Sequence, residues 1–226
     1  MQRTGSPAAI VVAGGSGRRA ITGGDATPKQ FRSLAGRALF EWSIDAFKAF
    51  GCSPIVVVVP ESHVDVVRAS WDGDAVVAAG GETRQRSVAN GLVLVDREFV
   101  LIHDAARPLI DRETIERVVD ALHEGAEAAI PTVPVSETIK EISDHVVLRT
   151  ITRDHLHVSQ TPQGFITEIV RRAHEEATKE GFVGTDDAQL VERSGGLVTI
   201  VTGSRTNIKV TTADDFDIAA AMMDGR

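Results

Sequence analysis

Five consecutive β-branched residues, Ile55-Val56-Val57-Val58-Val59, stand between Pro54 and Pro60. A strand sends alternate side chains to opposite faces, so a run that is apolar at every position needs cover above and below. That argues against a sheet with one wet face. The rest of the chain offers the cover. Ala8 to Ala13 is a second apolar run, and it opens into a glycine-rich loop. Phe40, Ile44 and Phe47 recur at helical spacing, as do Val88, Leu92 and Val95 after Thr83, and Ile115, Val118, Val119 and Leu122 after Asp111. Thr83 and Asp111 are good N-caps. Ala75 to Ala79, Phe99 to Ile102, Ala126 to Ile130 and Val198 to Val201 read as further strands. The alternation predicts an α/β fold: a mostly parallel, doubly wound sheet with helices on both faces.

Other boundaries follow from local chemistry. Ser62 is placed to cap a short helix to about Ser70, Thr167 one to about Lys179, and Thr185 one that stops at Gly195-Gly196. Thr212 and Asp215 have the spacing of a capping box, with Phe216, Ala219 and Met223 facing inward. The stretch 132–152 breaks the rhythm. Val133, Val135 and Ile139 alternate with polar residues, Ser143-Asp144-His145 reads as a turn, and Val146 to Ile151 returns. This predicts a protruding β-arm on one domain spanning 1–226. An isolated hairpin is marginal in water, so the arm needs a surface to pack on, and a second subunit is one.

Charge and composition narrow the function. The chain has 226 residues and a net charge of -8 at pH 7. An acidic protein gains little from counterion release, which argues against nucleic-acid binding. Cys52 is the only cysteine, which fits a reducing compartment and a core thiol. The start, Met1 to Pro7, has no long apolar region, and no apolar run reaches the ~20 residues of a membrane span. A cytoplasmic protein is expected.

Four segments carry chemistry. Gly14-Gly15-Ser16-Gly17 follows the first strand and runs into Arg18-Arg19, with Lys29 ten residues on. Glycines there let backbone N–H groups cradle phosphates, and the cations neutralise them. There is no Gly-Lys-Ser/Thr, so this is no P-loop. The Gly14-x-x-Gly17 spacing argues against a nicotinamide enzyme, and so does the end of the second strand, where Pro60 stands in place of an acidic residue. Gly80-Gly81-Glu82-Thr83-Arg84-Gln85-Arg86-Ser87 is another strand-to-helix junction, where helix N–H groups attract anions and Ser87 suits a base or ribose. His103-Asp104-Ala105-Ala106-Arg107-Pro108 puts a carboxylate at the edge where α/β sheets bind ligands. Asp104 suits Mg²⁺, bound outright or through water, or a substrate hydroxyl; Arg107 suits Asp104 or a phosphate. Lys209, in Asn207-Ile208-Lys209-Val210-Thr211, is a lysine in a β-rich stretch; a bound phosphate or an exposed edge strand explains it.

In order along the chain, the glycine loop with Arg18-Arg19, Pro28-Lys29-Gln30-Phe31, Gly80-Gly81-x-x-Arg84, His103 to Pro108, Thr161-Pro162-Gln163 and Asn207 to Thr211 resemble the 2-C-methyl-D-erythritol 4-phosphate cytidylyltransferases of non-mevalonate isoprenoid synthesis. The resemblance covers about residues 8 to 220. It implies a nucleotidyltransferase (glycosyltransferase-A-like) sheet, a homodimer interlocked through the β-arm, and Mg²⁺-assisted attack of the sugar phosphate on CTP. By position, Arg19 and Lys29 are the implied catalytic residues. Ala13, Gly14, Gly15, Gly17, Gly81, Glu82, Arg84, Ser87 and Ala105 are the implied CTP contacts. Asp104, Arg107, Thr138, Arg153, Thr161, Thr185 and Lys209 are the implied contacts of the sugar phosphate, with Thr138 and Arg153 acting across the dimer.

The chain departs from the family pattern in three places. The stretch from Arg19 to Lys29 is longer than usual and holds Gly23-Gly24, which predicts a loop that is mobile when empty. Ala38 stands where proline is usual, and His155 and His157 alternate near the arm's end, where a metal pair is a remote alternative. The rivals are a ribitol-5-phosphate cytidylyltransferase, an inactive nucleotide sensor, and a fusion to the cyclodiphosphate synthase. His103 to Pro108 argues against the first, the set Arg19, Lys29, Asp104 and Lys209 against the second. No second domain is expected after Arg226.

Overall fold

A computed structural model of the chain describes residues 5–14, 29–70 and 75–224. In chain order its elements are β1 (Ala8–Val12), a 3₁₀ turn (Lys29–Phe31), the short pair β2 (Ser33–Leu34) and β3 (Arg37–Ala38), α1 (Leu39–Phe50), β4 (Ile55–Val59), α2 (Val64–Ser70), β5 (Val76–Ala79), α3 (Arg84–Leu92), β6 (Phe99–Asp104) and α4 (Arg112–His123). Then follow β7 (Ala128–Pro134), β8 (Ile139–Ser143), β9 (Val146–Ile151), β10 (His157–Ser159), β11 (Gln163–Ile166), α5 (Thr167–Lys179), α6 (Asp187–Arg193), β12 (Val198–Thr202) and α7 (Ala213–Asp224).

The main sheet runs β10-β7-β11-β6-β1-β4-β5, with β12 also pairing to β7. β1 pairs in parallel with β4 and β6, β4 with β5, and β12 with β7. β11 runs antiparallel between β6 and β7. Strand period two divides the core. Ala9 and Val11 with Ile55, Val57 and Val59 join one layer, which α1, α2 and α4 cover. Ala8, Ile10 and Val12 with Val56 and Val58 join the other, under α3, α5 and α6. Every residue of β1 and β4 is buried, as a two-sided apolar run requires. Each buried valine or isoleucine contributes about 1.5–3 kcal/mol, so these central strands anchor everything at their carboxyl ends. Cys52 lies in the first layer, and burial pushes its thiol up to about 12, so it is inert at neutral pH.

Several helix starts are as expected. Thr83 Oγ1 accepts from the Arg86 amide at 3.0 Å, and Asp111 Oδ1 accepts from the Thr114 amide at 2.7 Å. Thr212 and Asp215 cap one another reciprocally, at 2.8 and 3.3 Å. Three starts differ. Ser62 sits inside a 3₁₀ turn, Glu61–His63, and its hydroxyl meets His63 Nδ1. α5 begins after Ile166 with no side-chain cap, and Thr167 is buried in its first turn. α6 is capped by Asp186, not Thr185; the Asp186 carboxylate accepts from the Gln189 amide at 2.9 Å. Thr, Asp and Asp stand in succession there, and a carboxylate is the stronger acceptor near a helix N-terminus.

The arm is shorter than expected. β7 continues to Pro134, and Val133 pairs with Val158 of β10 within the main sheet. The hairpin is β8 against β9 alone, turning at Asp144 and His145, both with positive φ (47° and 68°), as a tight two-residue hairpin turn demands. Lys209 is not in a strand. Residues 207–210 run as irregular chain between β12 and α7.

Candidate active site

The carboxyl ends of β1 and β6 lie side by side, Val12 opposite Asp104, because the two strands pair in parallel. A cavity of about 130 Å³ opens there, lined by Ala13, Gln30, Arg84, Asp104, Ala105 and Lys209, among others. Separate sequence motifs therefore meet at one sheet edge. The Gln30 side chain donates to the Ala13 carbonyl at 2.6 Å and ties the segment after the glycine loop back onto β1. Gly14 faces Ser87. A Cβ at Gly14 would lie 2.8 Å from Ser87 Oγ and one at Gly80 2.9 Å, so only glycine lets the two loops touch.

Asp104 is the centre of charge. Its Oδ1 accepts from Arg84 Nε at 2.9 Å and its Oδ2 from Lys209 Nζ at 2.6 Å. Burial opposes the negative charge, but the Arg84 and Lys209 cations outweigh it and hold the carboxyl far below the usual carboxylate range. Arg84 also donates through Nη1 to Asp187 at 2.8 Å. Two carboxylates thus face two cations, and the cluster is neutral. Arg84 Nη2 is buried without a hydrogen-bond partner among the described residues. A buried guanidinium donor is costly to leave unmade.

His103, fully buried, supports Asp104 from behind. Its Nε2 lies 3.1 Å from the Arg107 carbonyl and its Nδ1 3.0 Å from Thr161 Oγ1. The carbonyl only accepts, so Nε2 carries the proton and Nδ1 accepts from the Thr161 hydroxyl. That hydroxyl in turn accepts from the Asp104 amide at 3.1 Å. Burial, foremost, lowers the imidazole from 6.5 to about 4. The unfolded chain binds this proton first, so stability is full above about pH 6.5 and falls as pH drops towards 4. The expected loss is about 3 kcal/mol from this group. Urea unfolding at pH 7 and pH 4.5 checks it; a His103→Gln variant should show a flatter dependence over that window.

The remaining expected residues are distributed as follows. Ala105 is buried in the pocket wall, and Glu82 is exposed on the approach to α3. Ser87 is buried; its Oγ accepts from the Gly81 amide at 3.0 Å and donates to the Thr83 carbonyl at 2.9 Å, so it braces the loop. Thr161 Oγ1 bonds both the Asp104 amide and His103 Nδ1, so it orients Asp104. Arg107 neither pairs with Asp104 nor lines the pocket. Its guanidinium donates to the carbonyls of Asn207 at 2.7 Å and Ser159 at 3.3 Å, which pins the segment carrying Lys209. Thr138, Arg153 and Thr185 are exposed; Arg153 donates to the Ser136 carbonyl and Thr185 Oγ1 to Gln189 Oε1 at 3.3 Å. Lys29 opens the 3₁₀ turn beside the pocket residue Gln30. Gly15, Gly17, Arg19 and the Gly23-Gly24 loop lie outside the described residues. Gln163 and Asp187, not singled out from the sequence beyond the Thr161-Pro162-Gln163 motif, matter: Gln163 Oε1 accepts from the Asp187 and Ala188 amides and sets α6 against the site. Asp186-Asp187 at a helix start was the available signal.

Residues 8–225 match the family model described as 2-C-methyl-D-erythritol 4-phosphate cytidylyltransferase. The chain belongs to that family. Proteins of this name from Acidobacterium capsulatum and Syntrophus aciditrophicus are 38% and 40% identical to it, over 93% and 95% of this chain and 94% of each relative. The crystal structure of the family member from Thermus thermophilus superposes with a TM-score of 0.80 at 32% identity, covering 95% of this chain and 98% of that one. The mostly parallel sheet with helices on both faces is thus the family's fold. No helix among the described residues is long and apolar enough to cross a membrane.

Proposed function

We propose that this chain transfers the cytidylyl group of CTP to 2-C-methyl-D-erythritol 4-phosphate and releases pyrophosphate. The observation that carries this reading is the Asp104 pocket: a neutral cluster with a guanidinium N–H that has no partner among the described residues, beside the close-packed glycines that follow β1 and β5. An oxygen of the sugar phosphate attacks the α-phosphorus, a new P–O bond forms, and the bond to the β-phosphate oxygen breaks. The attacking phosphate is already ionised, so no general base is needed, and the protein's work is positioning and charge. The glycine loop and the Gly81 segment hold CTP, Arg84 lines the pocket beside them, and Arg19 and Lys29 neutralise the charge that develops. Lys209 has three donors and gives one to Asp104, which leaves two for the sugar phosphate.

The donor set bears on Mg²⁺. Among the described residues no three His, Cys, Asp or Glu cluster as a metal site, and both Asp104 oxygens are engaged by cations. With both oxygens so engaged, Asp104 would hold such an ion through water, and the ion would supply charge neutralisation there. The arm belongs to the same proposal. Ile142, Val146, Val147 and Leu148 are each more than half exposed on β8 and β9, and a second copy of the chain covers them. In that dimer Thr138 and Arg153, at the arm's base, act on the sugar phosphate in the partner's pocket.

The test is pyrophosphate release with CTP and Mg²⁺, offering methylerythritol 4-phosphate or ribitol 5-phosphate. Turnover with the first alone is expected. Turnover with the second alone would move the chain to another pathway, and silence with both despite CTP binding would make it a sensor.

A further inference from the structure

His174 stands on the apolar face of α5, between Val170, Ala173 and Ala177, and is 3% exposed. A buried histidine on such a face is ordinarily a core residue satisfied by nearby backbone. This one is not. Its Nε2 lies 3.0 Å from Asp187 Oδ1, Asp187 Oδ2 accepts from Arg84 Nη1 at 2.8 Å, and Arg84 Nε reaches Asp104 Oδ1 at 2.9 Å. Its Nδ1 is buried with no partner among the described residues. The carboxylate only accepts, so Nε2 carries a proton and donates it to Asp187. Asp187 is thereby held between two donors, His174 and Arg84. Against the desolvation of its site, Arg84 and the His174 hydrogen bond hold Asp187 below the usual carboxylate range.

We infer that His174 is a positioning residue for the transfer reaction: it fixes the Asp187 carboxylate, which in turn holds the Arg84 guanidinium on Asp104 in the pocket wall. Asp187 is the first residue of a seven-residue helix, and one of its oxygens goes to each of His174 and Arg84. A misplacement of a fraction of an ångström in a charge-positioning group is enough to reduce turnover. The inference rests on the Asp104 pocket being the site of cytidylyl transfer.

Two variants and one spectrum test it. His174→Leu keeps bulk without a donor; His174→Gln puts an amide N–H near the position of Nε2. His174→Leu should lower kcat/KM for the sugar phosphate about tenfold at saturating CTP, and His174→Gln should restore it to within about threefold of the wild type. Equal activity of His174→Leu and wild type, or no advantage of glutamine over leucine, overturns the inference. Long-range ¹H–¹⁵N spectra of the wild-type ring, which need neither turnover nor a folded variant, should show a proton on Nε2; an Nε2 without a proton overturns it as well. Wild-type silence with both sugar phosphates would instead sink the functional reading and leave the ring proton to be read on its own.

Discussion

Replacing Lys209 by alanine should raise the KM for methylerythritol phosphate about 10–100-fold and leave the KM for CTP within about threefold. A charge-assisted hydrogen bond contributes about 1.5–3 kcal/mol, which is that range in affinity. The lysine is well placed to act on the sugar phosphate. Its segment enters the pocket from the β12 side, whereas the glycine loop and α3 approach from β1 and β5. Its side chain is 44% exposed, so the amine reaches solvent while Asp104 holds one of its hydrogens. The substitution also leaves Asp104 with Arg84 alone, a cation it shares with Asp187. Initial rates with each substrate varied in turn decide the matter. Equal increases in both KM values would take Lys209 off the sugar phosphate and make it a general anchor of Asp104.

Replacing Arg19 by alanine should lower kcat by about 10²–10³, with little change in either KM. The α-phosphorus gains charge on its peripheral oxygens as the new bond forms and the old one breaks. A fixed guanidinium aimed at those oxygens acts only then, and removing one such donor costs about that factor. Arg19 follows the loop that leaves β1 at Val12, the strand whose end lines the Asp104 pocket. Arg19→Lys keeps the charge and loses the planar fork, so it should recover part of the rate. A near-normal kcat for Arg19→Ala would remove this residue from the transition state and leave Lys29 as the cation to test.

The layer order of the fold was legible because it rests on periodicity. Ile55 to Val59 could only be a strand buried on both faces, and it is. Alternating residues of β1 part between two cores for the same reason. The caps were legible where one polar residue stood alone before an apolar stripe, as at Thr83 and Asp111. They were misread where several stood together, as at Thr185-Asp186, because only the path of the chain into α6 selects which side chain meets the N–H groups. The arm's start was misread because alternation marks a strand and does not say which strand it will pair with. Val133 alternates as an arm residue would, yet pairs with Val158.

What the linear order determined by itself was the attachment of the proposed phosphate-handling segments to strand ends: the glycine loop after β1, Gly80-Gly81 after β5, Asp104 closing β6. Short-range chemistry decides those, since a glycine turn or an N-cap needs only its immediate neighbours. Only the tertiary structure decided which cations meet which carboxylates. Arg107 lies three residues from Asp104 and turns instead to carbonyls of Asn207 and Ser159, while Arg84, Asp187 and Lys209, distant in sequence, close the charge cluster. The physical reason is the cost of burial. A carboxylate withdrawn from water takes the cations that the packed strand ends and helices bring within reach, and sequence separation has no bearing on that distance.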